Sequence, residues 1–190
     1  MKEIVIKVFN SQPIIFKIRQ YEKYQPFSKT GTHWNLYGAG RIVQEASSFF
    51  GWGKVEIKNV ENSDKPWFTE RDIGRLLNLI IKYESNEKFY RPIYEKINPL
   101  AGKTTVIGNS FSNEFVKNFI AAGLADKVYH FENKPLVSND VAFINKSKRI
   151  IFVYTDIALM NENDQFYKKL DFLLETLPTI SEKKSDNLEY

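Results

Sequence analysis

The 190-residue sequence predicts an α/β domain with a mostly parallel central sheet and helices on both faces. Two observations carry this prediction. From Lys103 onward, apolar segments of strand length alternate with segments of helical periodicity. The segment from Arg149 to Tyr154 is a near-continuous apolar run, which is typical of a central parallel strand buried on both faces. We expect one domain over residues 1–190, with a frayed tail after Pro178.

The composition favours a folded globule and excludes several classes of site. Of the residues 43% are hydrophobic, with 15 Phe and 10 Tyr, which argues against disorder. The absence of cysteine excludes disulfides, thiolate zinc sites and a cysteine nucleophile. The net charge of +4 is scattered among acidic residues, so we expect a mixed-charge surface and no nucleic-acid face. A basic nucleic-acid or partner-binding domain is the third alternative for function. No apolar run reaches the length of a signal-peptide core or a membrane span, and we expect a soluble chain.

The amino-terminal part is predicted from periodicity. Within residues 1–19, Glu3 to Phe9 alternates apolar and polar residues, and Pro13 to Ile18 follows a short turn, so both are strand candidates. A polar, aromatic loop then leads to an amphipathic helix with Asn35 as its cap and Gly51 as its stop.

The middle of the chain is less regular. Lys54 to Val60 alternates and predicts a strand, followed by a loop. Thr69 to Ile80 predicts a helix, since Glu70 and Asp72 lie at its start, where acidic side chains interact favourably with the helix dipole. Residues 85–99 are ambiguous and fit a short helix followed by a lead-in loop.

The carboxyl-terminal half continues the alternation with clearer signals. Besides the two strands around Thr105 and Ile151, it predicts a strand, a short helix and a last helix, at Asp126 to Phe131, Val137 to Asn145 and Asp164 to Leu177.

The segment from Val106 to Phe111 (VIGNSF) contains the first candidate for chemistry. It reads as a buried strand, a tight turn and the start of a helix, which places Ser110 at the carboxyl end of a strand, where ligands bind in open α/β sheets. Backbone N–H groups at the helix start could hold a developing anion. The alternative is that Ser110 is only a helix cap, although a capping box would need Glu or Gln where Asn113 stands.

A serine nucleophile needs a base, and His33 is the candidate. A neutral hydroxyl is a poor nucleophile near neutral pH, and histidine titrates in the right range. His33 lies in a glycine-bounded loop next to Trp34 and Asn35, although it fits a surface or capping residue equally well. The other histidine, His130, falls in a predicted strand, and we expect it to be structural. Two isolated histidines predict no metal site.

Together the two segments resemble a known family. Gly31 to Asn35 (GTHWN) with Gly38-Ala39, upstream of Val106 to Phe111, resembles the SGNH hydrolase-like domains of the alginate O-acetyltransferase AlgJ and AlgX type. In that family an Asp-x-His-Trp motif precedes a Gly-Asp-Ser-Phe motif, an order that is circularly permuted relative to ordinary SGNH esterases. The resemblance covers about residues 25–160 and includes the segment that begins at Asp72, which resembles the family's connecting helix.

The resemblance implies a fold, a reaction and partners. It implies an SGNH-like fold with Ser110 as nucleophile and His33 as general base, passing an acetyl group through acetyl-serine to a cell-surface or exported polysaccharide, or removing one from it. Its partners would be the polysaccharide, an acetyl donor and a membrane acetyl-transfer protein, without nucleic acid or cofactor, outside the cytoplasm. The residues expected at the oxyanion or substrate are Gly108, Asn109, Trp34, Asn35 and Tyr37.

Two departures from the family pattern bear on catalysis. Gly31 and Asn109 stand where the family has aspartates. Loss of the carboxylate that orients a catalytic histidine costs up to about four orders of magnitude in rate in the serine-protease template. Asp156, after the apolar strand, is our substitute candidate, and backbone carbonyls near His33 are another. The alternative function is a catalytically impaired glycan-binding or scaffold protein on the same fold.

Overall fold

The computed structural model describes residues 7–67, 69–73, 87–97, 102–155 and 165–176. The chain is an α/β protein, and the helices within these ranges are α1 (Gln12–Tyr21), α2 (Leu36–Phe49), α3 (Ser112–Ala121), α4 (Ser138–Ile144) and α5 (Gln165–Thr176). Its strands are β1 (Lys54–Ser63), β2 (Phe89–Ile97), β3 (Lys103–Gly108), β4 (Lys127–Glu132) and β5 (Arg149–Val153). Within these ranges no helix is long and apolar enough to cross a membrane.

A parallel sheet of three strands, in the order β4-β3-β5, positions the candidate site. Successive side chains of a strand point to opposite faces. Accordingly, Val106 packs with residues of α2 and α3, such as Val43 and Phe119, whereas Ile107 packs with Ile144 of α4 and Leu173 of α5. Helices therefore cover both faces of the sheet, as the sequence predicted.

The central strand of this sheet is β3, not the segment predicted for that place. Residues 149–154 were expected to be central, but β5 lies beside β3 and is mostly half-buried, whereas β3 is buried from Thr104 to Gly108. The threonines of β3 tolerate burial because their hydroxyls are satisfied; the Thr105 hydroxyl, for example, lies 2.8 Å from that of Ser147. Apolar content alone therefore ranked the two strands wrongly.

A separate antiparallel pair, β1 with β2, was only half predicted. β1 continues past the predicted end at Val60 to Ser63, and β2 occupies residues that fitted a helix or a loop. Pro92 obscured the strand signal, since proline lacks an N–H and is confined to edge strands or bulges. It is accommodated here because in a two-stranded sheet each strand is an edge.

The predicted strand at Pro13 to Ile18 is wrong, because this segment is helix α1. Proline is tolerated in the first turn of a helix. Ile14, Ile15 and Ile18 then share one face: Ile18 is buried, and the other two pack against the core. The β-branched residues suggested a strand, but packing of this face overrides intrinsic propensity.

The remaining elements agree with the sequence where they are described. The Asn35 side chain caps α2 by accepting from the Gly38 N–H at 2.8 Å, and Gly51 follows the helix with φ of 69°. The strand and helices predicted after Gly123 match β4, α4 and α5 within about two residues. Of the first predicted strand, residues 7–9 are irregular, and residues 3–6, 74–80 and the tail lie outside the described residues.

Candidate active site

Ser110 lies in the turn between β3 and α3. The Asn109 N–H donates to the Val153 carbonyl of β5 at 3.3 Å, and the Asn109 carbonyl accepts from the N–H and the hydroxyl of Ser112, at 2.9 and 2.6 Å. These bonds tie the turn to the sheet on one side and to the helix on the other. Helix α3 begins after Phe111 without a side-chain cap, so the capping interpretation of Ser110 is wrong.

Gly108 makes this tight turn possible. A Cβ at this position would lie 2.5 Å from the Val153 carbonyl oxygen and 2.6 Å from the Cβ of Ser112. Neither backbone nor helix start can yield by that much without moving the serine. The glycine is therefore needed for the close approach of the turn to β5 and α3.

His33 contacts Ser110 through one ring nitrogen and a carboxylate through the other. Its Nε2 lies 2.6 Å from Ser110 Oγ, and its Nδ1 lies 2.6 Å from Asp72 Oδ2. The ring lies against Phe111, with centroids 4.6 Å apart, and Trp34 donates from Nε1 to the Phe111 carbonyl at 2.9 Å. The structure thus brings together the serine and histidine that the sequence paired.

Asp72 is the functional residue that sequence reasoning missed. Its Oδ1 accepts from the Thr32 N–H at 2.7 Å, and its Oδ2 accepts from the Thr32 hydroxyl. Partial burial raises its pKa, but the hydrogen bonds from Thr32 and His33 outweigh that effect and hold the pKa of the carboxyl below its usual value. Asp72 is therefore an anion at neutral pH, aimed at Nδ1 of His33.

Gly31 explains how Asp72 reaches the histidine. A Cβ at position 31 would lie 3.0 Å from the carbonyl oxygens of both Thr69 and Glu70. The missing side chain lets the segment 69–73 lie directly against the histidine loop, where the Ile73 N–H donates to the Thr30 carbonyl at 3.1 Å. Position 31 therefore has no carboxylate of its own, but its small size lets the carboxylate of Asp72 reach His33.

Asp156 was the sequence's candidate for the orienting acid, and it lies outside the described residues. Asp72 takes the position that was sought for it. Sequence reasoning interpreted Asp72 as a first-turn acid of a helix and as the start of a segment that resembles the family's connecting helix. The available signal was the departure at Gly31, a glycine in place of the expected acid, together with the acids Glu70 and Asp72 in that segment.

Three residues expected to contact substrate lie in the core. Trp34, Asn35 and Tyr37 are 8%, 3% and 6% exposed. The Asn35 amide is used at both ends, because its oxygen caps α2 and its nitrogen donates to the Gln25 carbonyl at 2.8 Å. Burial and a hydrogen bond to Glu22 raise the pKa of the Tyr37 phenol. These residues position the histidine loop and α2 and offer little surface to a substrate.

Most donors near the serine are already engaged. The Phe111 N–H donates to Asn109 Oδ1 at 3.2 Å, and the Asn113 N–H donates to the Ser110 carbonyl at 3.4 Å. Asn109 Nδ2 donates to the Thr155 hydroxyl at 3.3 Å, which uses one of its two N–H groups. The Ser110 N–H has no partner within the described ranges, and it and the second Asn109 N–H remain for an oxyanion.

A second serine–histidine pair, Ser112 with His130 of β4, supports the turn that carries Ser110. His130 Nε2 lies 2.7 Å from the hydroxyl of Ser112, which is fully buried. Since that hydroxyl donates to the Asn109 carbonyl, His130 must donate from Nε2. Burial lowers the pKa of His130. The charge of Lys169 lowers it further, and the charge of Glu132 partly offsets both effects. The histidine is a structural support, as expected from the sequence.

The arrangement suits nucleophilic acyl transfer. The anion of Asp72 accepts the Nδ1 proton of His33, which leaves the lone pair of Nε2 to receive the Ser110 proton. The side chains of His33 and Asp72 are 14% and 18% exposed, so the pair is shielded but reachable. In the part of the chain that the structure describes, no three His, Asp or Glu residues group as metal ligands.

Comparisons with known proteins give a likeness in structure only. No family model and no curated protein matches the sequence. The structure resembles the O-acetyltransferase domain of Pseudomonas putida AlgJ, with 15% identity and a TM-score of 0.43, over 85% of this chain and 66% of that one. It also resembles Pseudomonas aeruginosa AlgX, with 13% identity and a TM-score of 0.42, over 83% of this chain and 45% of that one. The chain therefore spans just under two thirds of the first neighbour and less than half of the second.

Proposed function

We propose that this chain is a serine-dependent acyltransferase or esterase that moves or removes acetyl groups on polysaccharide hydroxyls. The observation that carries the proposal is the continuous line from Asp72 through His33 to Ser110, with two contacts of 2.6 Å. The order of the three groups and these hydrogen-bonding distances support Ser110 as nucleophile, His33 as base and Asp72 as orienting acid.

In the first half-reaction Ser110 Oγ attacks the acyl carbonyl carbon while His33 Nε2 takes the hydroxyl proton. The tetrahedral intermediate carries its negative charge on the former carbonyl oxygen, beside the Ser110 N–H. Collapse expels the donor's alkoxide, which receives the proton from His33. The product is acetyl-Ser110, and Asp72 stabilises the imidazolium throughout.

In the second half-reaction a hydroxyl group attacks the acetyl-serine, again giving its proton to His33. Collapse breaks the ester bond to Ser110 Oγ, which recovers that proton. A sugar hydroxyl as acceptor makes the protein a transferase, and water makes it an esterase. Both outcomes use the same residues.

The acetyl and glycan parts of the proposal rest on the motif resemblance at Gly31 to Asn35 and Val106 to Phe111. The same resemblance supports a polysaccharide acceptor, an acetyl donor delivered by a membrane partner, and a location outside the cytoplasm. The scaffold alternative rested on Gly31 and Asn109. Asp72 supplies the carboxylate that Gly31 lacks, so Asn109 is the remaining departure that favours the scaffold alternative.

The test uses p-nitrophenyl acetate, following p-nitrophenol release and the mass of the intact protein. We expect turnover and a transient acetyl adduct in the wild type, and loss of both in Ser110→Ala and His33→Ala, by at least about a thousandfold in rate. Ser48→Ala, at an exposed serine of α2, is the matched control and should behave as wild type. Equal rates in wild type and Ser110→Ala would overturn the proposal.

A further inference from the structure

Glu114 is a fully buried acid that the proposed reaction does not use. It lies on α3, one turn after Ser110, and its Oε1 accepts a hydrogen bond from the Thr69 hydroxyl. Its other oxygen, Oε2, is buried without a partner among the described residues. A charged carboxylate with a bare oxygen is costly in such a place, and a neutral carboxylic acid is favoured.

The surroundings of Glu114 point the same way. Glu70, on the segment 69–73, and Glu132, on β4, are like charges near Glu114. The nearby guanidinium of Arg91, on β2, is already paired with Glu70, with two N–O distances of 2.9 Å. Lys117, one turn further along α3, lies over the Trp67 ring at 3.1 Å. The pKa of Glu114 is raised to about 7. Burial is the main cause, and the two glutamates add to it, whereas the hydrogen bond from Thr69 and one from the Glu114 backbone N–H lower the pKa.

Thr69, the partner of Glu114, belongs to the segment that carries the orienting acid. The Asp72 N–H donates to the Thr69 carbonyl at 3.4 Å, so the two residues share one turn. Glu70, between them, accepts from the Leu36 N–H at 3.3 Å, close to the start of α2. The segment 69–73 is therefore held by α2, by β2 and, through Glu114, by the helix that follows the serine.

We propose that Glu114 is a positioning residue, a protonated clasp that fastens the segment 69–73 to α3 and so keeps Asp72 against His33. This inference rests on the proposed function of the same site. When Glu114 ionises, it still accepts the hydrogen bond from Thr69, but the new buried charge repels Glu70 on the segment 69–73 and Glu132 on β4. This repulsion holds the segment less tightly against α3. The bond between Asp72 and His33 then loosens, and turnover falls as the pH rises through the range of that ionisation.

The experiment measures the pH dependence of Ser110-dependent ester hydrolysis from about pH 5.5 to 9 in wild type, Glu114→Gln and Glu114→Leu. Glutamine keeps the hydrogen bond to Thr69 but cannot ionise, whereas leucine removes the bond. We expect kcat of Glu114→Leu to fall about tenfold at every pH with KM unchanged. In Glu114→Gln we expect kcat near the wild-type maximum and no decline above pH 7. Glu61→Gln, at an exposed acid of β1, is the control.

A profile of Glu114→Gln that declines together with the wild type would overturn the clasp. A second readout separates this failure from failure of the proposed function. The His33 Nδ1 proton, bonded to Asp72, should give a downfield NMR resonance whether or not the protein turns over ester. Its loss above pH 7 in wild type but not in Glu114→Gln supports the clasp, and equal behaviour in both overturns it.

Discussion

His33 takes its carboxylate from a residue 39 positions further along the chain. An orienting acid must meet the imidazole with the right geometry, and the chain order of the two residues is immaterial to that requirement. Gly31 and Asp72 are linked in this respect: the first makes the space that the second uses.

We predict that Asp72→Asn lowers kcat by about three to four orders of magnitude while the protein stays folded, because an amide favours the wrong tautomer of His33. The measurement is ester hydrolysis beside circular dichroism. Asp64→Asn, at an exposed acid that pairs with Lys88, is the control and should keep full activity.

Gly31→Asp should not rescue Asp72→Asn, although it recreates the family's motif. Its Cβ would press on the Thr69 and Glu70 carbonyls at 3.0 Å, which should destabilise the fold by about 1–3 kcal/mol. Recovery of activity in the double variant would show that the acid can come from either segment and would contradict this account.

At the scale of residues, the sequence could not predict contacts between residues of remote segments. The turn of Ser110 and the loop of His33 carry local signals, namely glycines and a change of periodicity. The contact of Asp72 with Thr32 and His33 depends on how two loops pack, and no spacing encodes it.

The turn from β3 into α3 is the element that sets the position of Ser110. Its support runs from His130 on β4 through the Ser112 hydroxyl to the Asn109 carbonyl, over distances of 2.7 and 2.6 Å. Such a line acts as a unit, so removing either donor should have the same effect.

We predict that Ser112→Ala and His130→Phe each lower kcat about tenfold with little change in KM. The kcat of the double variant should be no lower than that of the less active single variant. The reason is that both loosen the same turn without touching substrate. Steady-state kinetics of the four proteins measures this, and additive losses would contradict a single line of support.

Elements were predictable from sequence where their stability is local. β3, α3, β4, α4 and α5 follow from short-range periodicity and turn residues. α1 and β2 did not follow, because the fate of Pro13 to Ile18 depends on the core it packs against, and β2 exists through its pairing with β1.

At the scale of the whole molecule, the site is assembled from three segments that meet only in the folded chain. The histidine precedes α2, the acid precedes β2, and the serine follows β3. The stability of the fold and the integrity of the site are therefore linked through the buried groups at this junction, Glu114 above all.

We predict that Glu114 makes the unfolding free energy decrease with pH. Its pKa rises from 4.5 to about 7 on folding, so between these values the folded state binds the extra proton. The stabilisation is complete below about pH 4.5 and is lost as the pH rises through 7, a change on the order of 3 kcal/mol at about 1.4 kcal/mol per pKa unit.

Urea unfolding of wild type and Glu114→Gln at pH 5 and pH 8 measures this difference. The variant should gain stability relative to wild type at the higher pH, because glutamine has no proton to lose. An unchanged difference between the two proteins across this range would mean that Glu114 is already ionised in the folded state.

Gly31 has a consequence for recognising distant relatives by pattern. A search that requires aspartate two positions before the histidine would discard this chain as inactive, although His33 has its acid. The informative pattern has two parts: a glycine before Thr-His-Trp, and an aspartate about forty positions later in a segment that can lie against that glycine. We predict that sequences which lack the first aspartate but carry this pair also place a carboxylate against the histidine.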